Sequence, residues 1–169
     1  MSSLRTPVVV ALAIALVVLG CEAGPPPATP PIRPGSSSAP REVSIVLKDW
    51  VFLPDPVDLV PGETVLLHVI NGGLDIHELV IGDQAVQDAW EVAEAAHENP
   101  PPGATPAVSV APDVAGTRIV VASGQRIDLT WTVPDAAEAG RLILGCHIPG
   151  HWAKGMLVPI QLVHPSPAP

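Results

Sequence analysis

The chain has 169 residues, 47% of them apolar, and its 8 Lys and Arg face 17 Asp and Glu for a net charge of −9. That balance excludes a nucleic-acid surface, which needs clustered basic side chains. The acids are scattered and not gathered in one block, so their first role is solubility, with attraction to a basic partner as a second.

The N-terminus reads as an export signal. One positive charge, Arg5, precedes an unbroken apolar run over residues 8–19, VVVALAIALVVL. Twelve apolar residues are too few to cross a hydrocarbon core of roughly 30 Å as a helix, but they suit a signal-peptide core. Val18-Leu19-Gly20-Cys21 then resembles the lipobox of bacterial lipoproteins. The resemblance implies cleavage after residue 20, lipid on the Cys21 sulfur, and a chain held by that anchor at the outer face of the cell membrane or in the periplasm. Residues 22–41 hold seven prolines and three consecutive serines with no apolar periodicity. Such a segment buries too little surface to fold and stays extended, so residues 21–41 are expected to be a lipidated tether. One domain is expected over residues 42–164, with 165–169 as a tail.

From residue 42 onward, short apolar runs alternate with Pro, Gly and Asn. Val43, Ile45 and Leu47 alternate with polar neighbours; Pro61-Gly62 marks a turn, after which Val65, Leu67 and Val69 alternate again. Further strands are expected over 76–81, 118–122, 125–133, 141–146 and 156–163. About eight short strands predict an all-β Greek-key sandwich or barrel. Residues 84–98, QAVQDAWEVAEAAHE, break the pattern with Ala, Glu and helical spacing of Val86, Ala89, Trp90, Ala93 and His97. They predict one inserted amphipathic helix capped by Asp83 and packed outside the sheets, followed by a proline-rich return over about 100–115.

The chemistry concentrates in GCHIPGHWAKGM, which ends on Met156. Cys146, His151 and Met156 are each five residues apart, and Met156 is the only methionine after residue 1. With Cys21 lipidated, Cys146 is the one free thiol. A lone thiol in an oxidising compartment is a liability unless a metal occupies it. A thiolate, two imidazoles and a weak axial thioether are the donors of an electron-transfer copper site. The second imidazole must come from elsewhere, and His77, between the loop NGGLDI and the strand ELVIG, is the best candidate.

On these residues the chain resembles the cupredoxins, the blue copper proteins that include plastocyanin, azurin, auracyanin and rusticyanin. The stretch FLPDPVDLVPGETVLLHVIN before His77 resembles the strand–turn–strand leading to that family's first histidine ligand, and Cys146, His151 and Met156 match its remaining ligands. The resemblance covers about residues 42–163. It implies one type 1 copper per chain held by His77, Cys146, His151 and Met156. It also implies a single-electron carrier, not an enzyme, with redox partners such as cytochromes or membrane oxidases. In the family the loop histidine reaches the surface within an apolar patch. Ile148, Pro149, Trp152 and Ala153 around His151 carry no charge and are the expected electron exit. Many members place Asn or Ser after the first histidine to tie it to the cysteine loop; Glu78 stands there in this chain.

Two other functions fit the same donors: the copper domain of a copper-dependent reductase or oxidase, and a copper storage or delivery module. The first needs further histidines for a catalytic copper, and the second favours exposed Met- or His-rich clusters; neither is evident. His68 is expected on the surface, mid-strand and opposite Val65, Leu67 and Val69. His147 should point away from Cys146 along its strand. His97 belongs at the helix end, where a cation suits the dipole, and His164 in the tail.

Overall fold

Period-two alternation builds two sheets here. The computed structural model describes residues 31–97, 108–135 and 141–165, all within one compact unit, Pro31–Pro169. The export signal, Cys21 and the first part of the tether lie outside the described residues. Nine strands are described: β1 (Arg41–Lys48), β2 (Val51–Leu53), β3 (Val57–Leu59), β4 (Thr64–Asn71), β5 (His77–Gly82), β6 (Thr117–Val121), β7 (Arg126–Thr132), β8 (Ile143–Gly145) and β9 (Leu157–Leu162). One sheet has the order β2-β1-β4-β7 and the other β3-β9-β8-β5-β6. Both are mixed, because β1 pairs parallel to β4 and β3 parallel to β9, while the other pairings are antiparallel. The expected β-sandwich with one inserted helix is what the chain forms.

The core lies between the sheets and is filled by alternate residues of both. Val43, Ile45 and Leu47 of β1 and Val65, Leu67 and Val69 of β4 meet Leu79 and Ile81 of β5, Leu144 of β8 and Val158 and Ile160 of β9. Strand β5 is buried on both faces, since its other side is covered by a helix. That helix, α1 (Gln84–Ala95), starts where the sequence places it: the Asp83 carboxylate accepts the N–H of Val86 as N-cap. Its buried face is Val86, Gln87, Trp90 and Glu94, so two polar side chains are buried where the spacing of Val86, Ala89, Trp90, Ala93 and His97 predicted an apolar stripe. Val80, Val86 and Trp90, with Val108 and Val110, form a small second cluster between helix and sheet.

The chain joins the domain before its first strand. Gly35 donates its N–H to Glu63 and accepts that of Thr64, and Arg41, the first residue of β1, pairs with the buried Glu63. Burial pushes the Glu63 carboxyl up, but the Arg41 guanidinium and the N–H groups of Val60 and Gly35 more than offset this and hold it below its ordinary value. Residues 35–40, within the segment read as tether, are therefore fastened to the sandwich.

Candidate metal centre

Strand parity decides which side chains enter the site. His77 shares a face of β5 with Leu79 and Ile81, and Cys146 follows β8 in step with Leu144, so both turn toward the core. Glu78, Val80, Gly145 and His147 fall on the opposite face, under α1. After Cys146 the chain turns through Ile148, whose carbonyl accepts the His151 N–H at 2.9 Å, and then through a short 3-10 turn at Trp152–Lys154. Gly155, at φ +85°, closes that turn in a region glycine favours. The Met156 N–H donates to the His151 carbonyl and the Met156 carbonyl accepts the Cys146 N–H, each at 3.1 Å. The loop thus ties Cys146, His151 and Met156 together through its own backbone.

His77, Cys146 and His151 converge. One donor atom from each lies within 4.8 Å of the others. His77 Nδ1 is 3.2 Å and Cys146 Sγ 3.3 Å from His151 Nδ1. His77, Cys146 and Met156 are 0% exposed and His151 6%. Burial pushes the Cys146 thiol up to about 12. Burial first, and then the neighbouring His77, push His151 down to about 4. Both groups are therefore neutral near pH 7, and a cation held between them would make the thiolate the stable form. A thiol and two imidazoles converging at buried positions, with Met156 buried on the same loop, fit copper.

The surroundings hold these donors in place. His77 Nε2 lies 3.1 Å from Asp49 Oδ1 in the turn between β1 and β2. Trp50, the next residue, meets the His151 ring edge-on at 4.8 Å, with the Lys154 ammonium over its own face. Glu78 takes up the task expected of the Asn or Ser found there in the resembling proteins. Its backbone N–H points at Cys146 Sγ at 3.5 Å and its Oε1 accepts the His147 N–H at 2.8 Å. Arg118 compensates the buried Glu78 charge with a 2.6 Å contact to Oε2 and reaches on to Glu94 Oε1 at 2.8 Å.

His147 does point away from Cys146. It is buried under α1, with Nε2 2.7 Å from Gln87 Oε1, Nδ1 3.0 Å from Glu91 Oε2, and its ring stacked on Trp152. A Cβ on Gly145 would sit 2.3 Å from Gln87 Oε1 and 2.8 Å from the Trp152 ring, so a side chain here would push Gln87 and Trp152 from their places. His68 differs from the sequence reading. It faces outward from the sandwich yet is only 7% exposed, because Glu42, Arg126 and Asp128 close over it. His97 and His164 are exposed, and His97 bonds the Ala93 carbonyl at the helix end. Around His151, Pro149 and Ala153 are exposed, while Trp152 and Ile148 are half-buried and Ile148 packs on the core. Asp49, Trp50 and Arg118 escaped the sequence reading. The one signal for the first two was a polar–aromatic pair between two apolar runs, which marks a turn but not what the turn touches.

No family model matches the chain. Among solved structures it is similar to reduced auracyanin from Roseiflexus castenholzii, with a TM-score of 0.54 and 17% identity over 77% of this chain and 100% of that one. It is equally similar to auracyanin A, a blue copper protein from Chloroflexus aurantiacus, with a TM-score of 0.54 and 18% identity over 74% and 100%. At such identities the likeness speaks for the fold, which is that of a cupredoxin. Sequence relatives narrow this. The chain is 28% identical over 144 residues to the copper-resistant cuproprotein CopI of Pseudomonas aeruginosa, covering 72% of this chain and 76% of that one. It is 31% identical over 136 residues to CopI of Rubrivivax gelatinosus, covering 76% and 71%. The chain belongs to this CopI family of cupredoxin-like proteins.

Proposed function

We propose that the chain binds one copper ion through His77 Nδ1, Cys146 Sγ and His151 Nδ1, with Met156 as the weak fourth donor, and carries single electrons. The observation that supports it most is the convergence of two imidazole nitrogens and a sulfur within 4.8 Å of one another, all three residues buried. Copper in such a set supplies a one-electron couple, because thiolate and imidazole suit both of its oxidation states. The chain's own part is to keep the donors from moving: Cys146, His151 and Met156 come from one loop closed by its own backbone bonds, and His77 opens a strand buried on both faces. Small movement on a change of metal charge favours fast exchange.

The protein is a carrier in this reading and not an enzyme. It works at the outer face of the membrane or in the periplasm, anchored through lipid on Cys21, between redox proteins such as cytochromes or membrane oxidases. A second reading, copper held for tolerance and not for electron traffic, is favoured by the names of the CopI relatives. The two part on redox cycling: a carrier exchanges electrons rapidly and reversibly with a cytochrome, whereas a store gives up its copper instead.

The site itself is tested by Cys146→Ser. Copper bound by the thiolate gives an intense visible band that a serine oxygen cannot support. The wild-type chain is expected to take up one copper and colour strongly, and the variant to fold, by circular dichroism, and stay colourless. A variant with the full band removes Cys146 from the site.

A further inference from the structure

The turn between β1 and β2 touches both imidazoles of the metal centre, and the ligand assignment has no use for it. Lys48 and Val51 pair across the turn, leaving Asp49 and Trp50 as its two loop residues. Trp50 sits at φ +73°, where glycine is the usual residue, so the surroundings must hold it there. Its ring packs on His151. Asp49 faces the other histidine. Its Oδ1 is 3.1 Å from His77 Nε2, 3.0 Å from the Leu74 N–H and 3.3 Å from the Asp75 N–H. A carboxylate oxygen that already accepts two backbone N–H groups requires His77 to donate from Nε2. That leaves the Nδ1 lone pair facing Cys146 and His151.

The backbone is shaped around this pair. A Cβ at Gly73 would lie 2.4 Å from Asp49 Oδ1 and 2.9 Å from His77 Nε2, so the loop presses on the Asp49–His77 contact with nothing to spare. Asn71 pins the same loop, donating to the carbonyls of Asp75 and Val121 and accepting the Gly73 N–H.

We propose that Asp49 is a positioning residue for the metal centre, fixing the tautomer and orientation of His77 and, through its negative charge, favouring the oxidised copper. The inference rests on the ligand reading above. A carboxylate behind a ligating imidazole makes the ring a stronger donor and stabilises the more highly charged metal. Asp49 is partly exposed, with 32% of its side chain open to solvent, so the effect is moderated by water.

Asp49→Asn separates charge from geometry. The His77, Leu74 and Asp75 contacts on Oδ1 can be kept by an asparagine carbonyl, and only the longer approach of the Leu74 N–H to Oδ2, at 3.3 Å, is lost. The variant is expected to bind the same copper with the same visible band, but with its preference for the oxidised ion weakened about tenfold. For one electron that is a potential raised by about 59 mV. Asp49→Ala should show the same rise and also release copper faster. A potential in Asp49→Asn equal to that of the wild type would overturn the electronic role. A copper-free measurement stands beside this one. Nitrogen-15 NMR of His77 should show the Nε2–H tautomer in the wild type and in Asp49→Asn, and a mixture in Asp49→Ala. A tautomer indifferent to Asp49→Ala would overturn the positioning role. A wild-type chain that takes no copper yet shows this tautomer pattern would sink the ligand reading while supporting the Asp49–His77 pair.

Discussion

Glu94 shows how much a single side chain can carry once it is buried. It lies on the buried face of α1 with Oε1 on Arg118, and Oε2 has no hydrogen-bond partner among the described residues. Burial first, and then the like charge of Glu78, push its carboxyl up to about 7 despite Arg118. The unpartnered oxygen is where the proton belongs. A carboxyl raised from 4.5 to about 7 makes the folded state bind more protons than the unfolded one between those values. Its contribution is therefore fully present below about pH 4.5 and is lost as pH rises through 7. A tenfold change in proton affinity corresponds to about 1.4 kcal/mol, so a carboxyl raised from 4.5 to about 7 loses roughly 3 kcal/mol. Glu94→Gln imitates the protonated form. Urea unfolding at pH 4.5 and pH 8 should show the wild type losing that amount relative to the variant. Parallel pH profiles would mean that Glu94 does not titrate in this range.

At the scale of elements, α1 is more than a cover. Gln87 is buried and its side-chain amide donates to the carbonyls of Val80, Gly82 and Ile143, bridging β5 and β8. With its nitrogen committed to three carbonyls, its oxygen is free to accept from His147 next to Cys146. The helix thus braces the two strands that deliver His77 and Cys146. Gln87→Ala leaves carbonyls and an imidazole N–H unsatisfied and should cost about 2–3 kcal/mol. Loss of the Asp83 cap in Asp83→Ala should cost about 1 kcal/mol. Equilibrium denaturation is expected to rank them in that order. The helix was legible in the sequence because Ala, Glu and 3.6-residue spacing are local properties. Its buried polar face was not, because Gln87 and Glu94 are buried by partners that come from other strands: His147 for one, Arg118 for the other.

For the whole molecule, the proposed electron-carrier role requires that a partner reach the buried centre. His151 is 6% exposed, with the exposed Pro149 and Ala153 beside it and the surface otherwise rich in acids. A small apolar patch within an acidic surface gives fast, salt-sensitive encounter with a basic partner and a short-lived complex. Ile148 packs on the core and Trp152 on His147, so substitutions there would disturb more than docking. Pro149→Glu and Ala153→Glu probe the patch more cleanly. Each is expected to slow stopped-flow electron exchange with a basic cytochrome several-fold while leaving the visible band unchanged, and the wild-type rate is expected to fall with added salt. Wild-type rates in both variants would place the exit elsewhere, with the Trp152 and His147 face as the next place to look.

The sequence alone determined the sandwich, the start and cap of the helix, and the pairing of Cys146 with His151 on one loop. Each is written in short-range pattern: strand alternation, helical spacing, or five-residue steps along one loop. It also pointed to His77, through the loop and strand that flank it. Tertiary structure decided what stands behind the donors. Asp49 reaches His77 across 28 residues, and Glu78 reaches the His147 N–H across 69. Such pairings depend on which strands become neighbours and in which register. That is set by packing over the whole core, and a residue's own neighbourhood in the chain does not record it.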